Sequence, residues 1–243
     1  MTRAAPAHLD VPRPQRPGAA ATAPAGRLRL GIDFDNTLIA YDRVFLGVAR
    51  ARGLLPARFA GNKQAVRDAV RRLPDGETTW QRLQGHAYGQ GIGEAALFPG
   101  VGRFLRRCRQ AGHAVFIVSH KTEFANYDPA RVDLRAAALG FMDARGFFDP
   151  GKYAIRRENV FFESTRAEKL ARIAALDCTH FVDDLVEVLT DRNFPSGVAR
   201  VLFDPAGGET PAGLRACASW REIAAALLPD VLLPEVLLPE ATR

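Results

Sequence analysis

Short apolar runs alternate with amphipathic stretches along most of this chain. The runs Leu28–Ile32, Ala114–Val118, Asn159–Phe162, Thr179–Val182 and Ala199–Phe203 are mostly apolar and only a few residues long. That is the pattern of buried parallel strands covered on both faces. Between and after them, apolar positions recur at helical spacing over Val101–Ala111, Arg131–Arg145, Thr165–Leu176, Leu185–Thr190 and Trp220–Leu228. Gly112 supplies a stop signal between the first of these helices and the strand that follows it. The alternation predicts an α/β fold: a Rossmann-like parallel sheet of about five strands flanked by helices.

One long segment breaks the alternation. From Tyr41 to Leu97 the pattern is helical over Asp42–Arg52, Lys63–Leu73 and Glu77–Tyr88, divided by Gly53, Pro56, Gly61 and the Pro74-Asp75-Gly76 turn, with no strand pattern. An insertion after the first strand stands above that strand's carboxyl end, where open α/β sheets bind ligands. The expected organisation is therefore a disordered leader over 1–26, an α/β core over 27–40 and 98–228, a helical cap over 41–97 and a Leu/Pro tail over 229–243. Within the cap, His86 and Tyr88 lie among Gly85, Gly89, Gly91 and Gly93, a composition that suits either a lid or an ordinary irregular connection. The tail repeats Val-Leu-Leu-Pro-Glu twice, too few copies for a repeat architecture.

Composition narrows the class without naming a function. Apolar residues make up 47% of the chain and charged residues 25%, which suits a soluble globular protein. No apolar run approaches the roughly 18–20 residues needed to cross a bilayer, so no membrane partner is expected. Three widely spaced cysteines without a CxxC motif point to a reducing, cytoplasmic setting. The net charge of +6 is spread over helix faces and does not form a basic stripe interleaved with aromatics, so no nucleic-acid partner is expected. Nothing in the pattern indicates the oligomeric state.

The first strand runs directly into Asp33-Phe34-Asp35-Asn36-Thr37. Two carboxylates one residue apart project to the same side of an extended chain. Such a segment also suits an Asp/Asn turn, and taken alone it does not choose. A second acidic pair, Asp183-Asp184, ends another short apolar strand. Because the carboxyl ends of a parallel sheet share one edge, the two pairs can converge there, and a hard divalent cation with oxygen ligands would relieve their repulsion. One aspartate of the second pair could instead cap the following helix. Ser119 follows the strand run Ala114–Val118 on that same edge. Lys169 lies in the first turn of a helix opened by the capping box Thr165-x-x-Glu168. There a cation opposes the helix dipole unless negative charge answers it. His120 and Lys121, directly after Ser119, are candidate substrate contacts or a plain polar loop.

Taken in chain order, Asp33–Thr37, Ser119, Lys169 and Asp183-Asp184 resemble the four motifs of the haloacid-dehalogenase-like hydrolases over residues 28 to about 205. The resemblance implies a magnesium-dependent phosphatase for a small phosphorylated metabolite, with a C1-type cap between the first two motifs. It implies that Asp33 is the nucleophile and Asp35 the general acid/base. Thr37, Ser119 and Lys169 are the implied phosphate-binding residues. The implied metal ligands are Asp33, the Asp35 backbone and Asp184, with Asp183 as the other candidate. Asp35 separates phosphatases from the haloalkanoate dehalogenases of the family, whose halide leaving group needs no proton. A phosphomutase or phosphotransferase using the same chemistry, or a non-catalytic binding protein on the same fold, are the competing readings.

Overall fold

The computed structural model describes residues 26–229. The leader expected over 1–26 and the Leu/Pro tail expected over 229–243 lie outside the described residues, apart from Gly26 and Pro229 at their inner ends.

Strand β1 (Arg29–Ile32) is followed by the two-residue strand β2 (Ile39–Ala40) and by helices α1 (Asp42–Ala51), α2 (Lys63–Arg71) and α3 (Gly76–Tyr88). A 3-10 turn over Gln90–Glu94 leads to β3 (Ala96–Leu97) and α4 (Val101–Gln110). The chain then alternates through β4 (Ala114–His120), α5 (Leu134–Ala144), β5 (Val160–Glu163), α6 (Arg166–Ala175), β6 (His180–Asp183) and α7 (Val186–Leu189). It closes with β7 (Ala199–Phe203), β8 (Arg215–Cys217) and α8 (Trp220–Leu227).

Six strands form one parallel sheet in the order β5-β4-β1-β6-β7-β8. The sequence pattern shows only five of them. The sixth, Arg-Ala-Cys at the sheet's edge, is too short and too exposed to leave an apolar run. For the same reason the segment read as free of strands contains Ala96–Leu97, which pairs antiparallel with Ile39–Ala40 and closes the base of the helical insertion.

Alternate side chains of the central strands enter two apolar layers. Val115 and Ile117 of β4 join one layer, Phe116 and Val118 the other. Likewise Val182 faces the first layer and Phe181 the second, as expected for strands buried on both faces. Gly31 in β1 leaves room for a neighbour, since a Cβ there would stand 2.5 Å from a ring carbon of Phe181.

The insertion is not an independent unit in its packing. Phe45 stacks on Trp80 at 4.8 Å between ring centroids, and both belong to the same buried cluster as Leu30, Ile32, Phe34 and Leu38 of the sheet region. Arg145 at the end of α5 donates to the carbonyls of Gly93 and Ala95, fastening the turn that leaves the insertion. Among the described residues, no helix is long and apolar enough to cross a membrane.

Candidate active site

The chain reverses its direction of travel across the sheet at β1, which lies between β4 and β6. This is the switch point at whose carboxyl edge α/β sheets bind ligands. Ile32 is in register with Ile117 on one side and Val182 on the other, and the Asp33 amide donates to the Val182 carbonyl at 2.9 Å. Asp33, Ser119 and Asp183 are thereby brought to one edge by three adjacent strands. Ser119 lies inside β4 rather than after it, and is buried with no side-chain hydrogen bond among the described residues.

Beyond Asp33 the chain turns sharply. Asn36 adopts a left-handed φ of 62°, which asparagine tolerates, and the amides of Leu38 and Ile39 both donate to the Phe34 carbonyl. This turn presents Asp35 and Thr37 back toward the edge. Trp220 holds it from behind, its indole donating to the Thr37 carbonyl at 3.0 Å in a buried position.

Lys169 is almost completely buried and spans two carboxylates, 2.7 Å from Asp33 Oδ1 and 2.6 Å from Asp183 Oδ2. The capping box predicted for its helix is present, with Thr165 and Glu168 each accepting from the other's end of the turn. Burial alone would lower the proton affinity of this ammonium, but Asp33 and Asp183 more than offset that and hold it above the ordinary lysine value. Asp183 also accepts from the Leu185 amide at 2.9 Å, so both of its oxygens are engaged by the protein.

Asp184 differs. Its one side-chain partner is the Thr37 hydroxyl at 3.1 Å, and it has no ion pair among the described residues. Burial, together with the charges of Asp33 and Asp183, pushes its carboxyl well above the usual carboxylate range. Burial likewise pushes the Asp183 carboxyl up, against the pull of Lys169. Oxygens of Asp33, Asp183 and Asp184 lie within 4.8 Å of one another and could hold a metal ion. An all-carboxylate donor set whose charge a single lysine only partly offsets suits a hard cation.

Asp35 stands apart from that triad. Lys121 approaches its Oδ2 to 2.7 Å, and the Tyr41 hydroxyl donates to its Oδ1 at 2.6 Å. Burial and the Asp35 carboxylate push the Tyr41 phenol well above its ordinary value, so it remains a neutral donor. Lys121, a candidate substrate contact by sequence, is thus buried against Asp35, while His120 is exposed and bonds the Ser164 carbonyl.

The insertion adds groups that sequence reasoning did not assign to the site. Lys63, the first residue of α2, donates to the Asn36 side chain at 3.0 Å and to the Tyr88 hydroxyl at 2.8 Å. Tyr88 packs edge-on against Tyr41 at 4.8 Å, below the Lys121 ammonium. No spacing marks Lys63 or Tyr41, because their placement depends on how the insertion folds back.

A haloacid-dehalogenase family hydrolase from Deinococcus radiodurans, solved with bound phosphate and sodium, matches this arrangement of elements at a TM-score of 0.50. That match has 16% identity and covers 84% of this chain and 96% of the other. The fold is that of the haloacid-dehalogenase-like hydrolases. A haloacid-dehalogenase-like hydrolase from Streptococcus pneumoniae agrees, with a TM-score of 0.52 and 14% identity over 82% of this chain and 98% of its own. No protein-family model matches the chain, and no curated protein matches it in sequence. Within the haloacid-dehalogenase-like fold, the helical insertion after β1 and β2 occupies the position expected of a cap.

Proposed function

We propose that the chain is a magnesium-dependent phosphatase acting on a small phosphorylated metabolite through an aspartyl-phosphate. The observation that carries this reading is the pair of differently held carboxylates, Asp33 on Lys169 and Asp35 on Lys121 and Tyr41. Two carboxyl groups in unlike environments are what a nucleophile and a proton carrier require.

Asp33 uses the oxygen not engaged by Lys169 to attack phosphorus, and the bond from phosphorus to the leaving oxygen breaks. Asp35 gives its proton to that oxygen. It then takes a proton from the water that attacks the aspartyl-phosphate, releasing inorganic phosphate and restoring Asp33. Ser119 and Lys169 donate to the equatorial phosphoryl oxygens, and Thr37 keeps Asp184 oriented. Asp33, Asp184 and the Asp35 backbone would hold magnesium, with Asp183 orienting Lys169. Magnesium supplies positive charge against the phosphoryl oxygens when bound. The insertion serves as the cap, with Lys63 and Tyr88 over the site. The phosphate bound to the Deinococcus hydrolase is in keeping with this substrate class. Three buried free cysteines suit a cytoplasmic setting.

Phosphate release from an aryl phosphate in the presence of magnesium, compared between wild type and Asp33→Asn, tests the proposal. Magnesium-dependent turnover lost in the variant is expected. A folded wild type that turns over no phosphate ester, or a fully active variant, would overturn it.

A further inference from the structure

We infer that the chain carries a second binding site, away from the four aspartates, for a small anion bearing a flat ring, as a mononucleotide does. The site is the cavity of about 780 Å³ between the insertion and the loop that leaves β4. Small-molecule pockets fall in the range of roughly 300–1,000 Å³. Arg52 just beyond α1, Arg82 on α3 and Arg131 on the loop line it, with the rings of Phe124 and Tyr127. None of Asp33, Asp35, Asp183 or Asp184 does. Helix α1 starts directly after Tyr41, whose hydroxyl reaches Asp35, and ends directly before Arg52, which lines the cavity. Its ten residues separate the two places by about 15 Å along that helix.

The charges in this cavity are unbalanced. None of the three guanidinium groups makes a salt bridge among the described residues. Asp128 is the acidic residue on the lining, and its two oxygens are both engaged by the loop itself, accepting from the Ala130 and Val132 amides at 3.1 Å each. Guanidinium groups match phosphate and carboxylate groups in shape as well as charge.

The loop is also held in an unfavourable backbone conformation. Tyr127 and Arg131 take left-handed φ values of 57° and 45°, a region costly for side chains of this size. The two bonds from Asp128 keep the loop in that form. Its effect is to leave Tyr127 58% exposed at the cavity, an unusual setting for a large ring, while Arg131 lies over Phe124 at 4.6 Å. An exposed ring beside unpaired guanidinium groups recognises a planar group and an anionic group together.

Calorimetric titration of the whole 243-residue chain with AMP in EDTA tests this, with inorganic phosphate and adenosine as the separate halves. AMP is expected to saturate one site and to bind at least about tenfold tighter than either half, a difference of ~1.4 kcal/mol. Arg52→Ala and Arg82→Ala, both changes of exposed side chains, should each weaken AMP by about tenfold, and Tyr127→Ala should reduce its affinity to that of phosphate. Asp33→Asn should leave it unchanged. The inference is overturned by absence of saturable AMP binding, by arginine variants that bind as wild type does, by phosphate binding as tightly as AMP, or by loss of binding in Asp33→Asn, which would assign the binding to the aspartate edge.

Discussion

Lys121 and Asp35 form a salt bridge of 2.7 Å in which the lysine is buried and the carboxylate nearly so. A lysine that touches substrate would govern KM. One that fixes the direction of Asp35 would govern kcat. Lys121→Met is therefore expected to lower kcat by about tenfold or more while KM changes little, as read from steady-state kinetics. Removing one partner of a buried pair also destabilises, here by ~3 kcal/mol, and the double variant Lys121→Met/Asp35→Asn should recover much of that in chemical denaturation. A raised KM at unchanged kcat would return Lys121 to the role of substrate contact.

Magnesium should stabilise the chain in a pH-dependent way. Folding raises the proton affinity of Asp184, so over the range between its unfolded and folded values the native state keeps a proton that the unfolded state has lost. Stability without metal therefore falls as pH rises through that range, and a cation bound to the ionised carboxylates offsets the loss. The gain in Tm from magnesium over EDTA should be larger at about pH 8 than at about pH 4.5. An equal gain at both would place the cation elsewhere.

Trp220 reaches the site through the Thr37 carbonyl, to which its indole donates. Trp220→Phe keeps most of the apolar packing but leaves a buried carbonyl without its donor, costing ~1–3 kcal/mol. Because the same turn carries Asp35, kcat should also fall several-fold. An unchanged rate would show that the turn holds its shape without the indole.

Gly31 is predicted to tolerate no side chain. The Cβ of Gly31→Ala would meet the Phe181 ring, and displacing that ring is expected to cost ~1–3 kcal/mol by equilibrium unfolding. Gly31→Ala/Phe181→Leu should recover part of it. Wild-type stability in the single variant would mean that β1 and β6 separate easily.

The sheet was legible because buried parallel strands such as Ala199–Phe203 are written as unbroken apolar runs, and that strand's bounds agree residue for residue. Helix α6 was equally plain, since its capping box is a local signal. Short edge pairs such as Ile39–Ala40 with Ala96–Leu97 leave no periodicity to read. The same contrast runs through the site. Asp33, Ser119, Lys169, Asp183 and Asp184 sit at strand ends or in a capped first turn, so local pattern locates them. The partners of Asp35 do not, because Lys121 and Tyr41 reach it from a loop and from the start of the insertion. Thr37, expected among the phosphate contacts, has its hydroxyl on Asp184.

The shared packing of Phe45 and Trp80 with Phe34 and Leu38 bears on how the molecule comes apart. Detaching the insertion would wet the underside of the turn that carries Asp33 and Asp35. Melting of those helices and loss of the sheet should therefore be one event, giving a single calorimetric transition whose van't Hoff and measured enthalpies agree. An excised sheet without residues 41–95 would have no dry interior beneath the turn that carries its own aspartates.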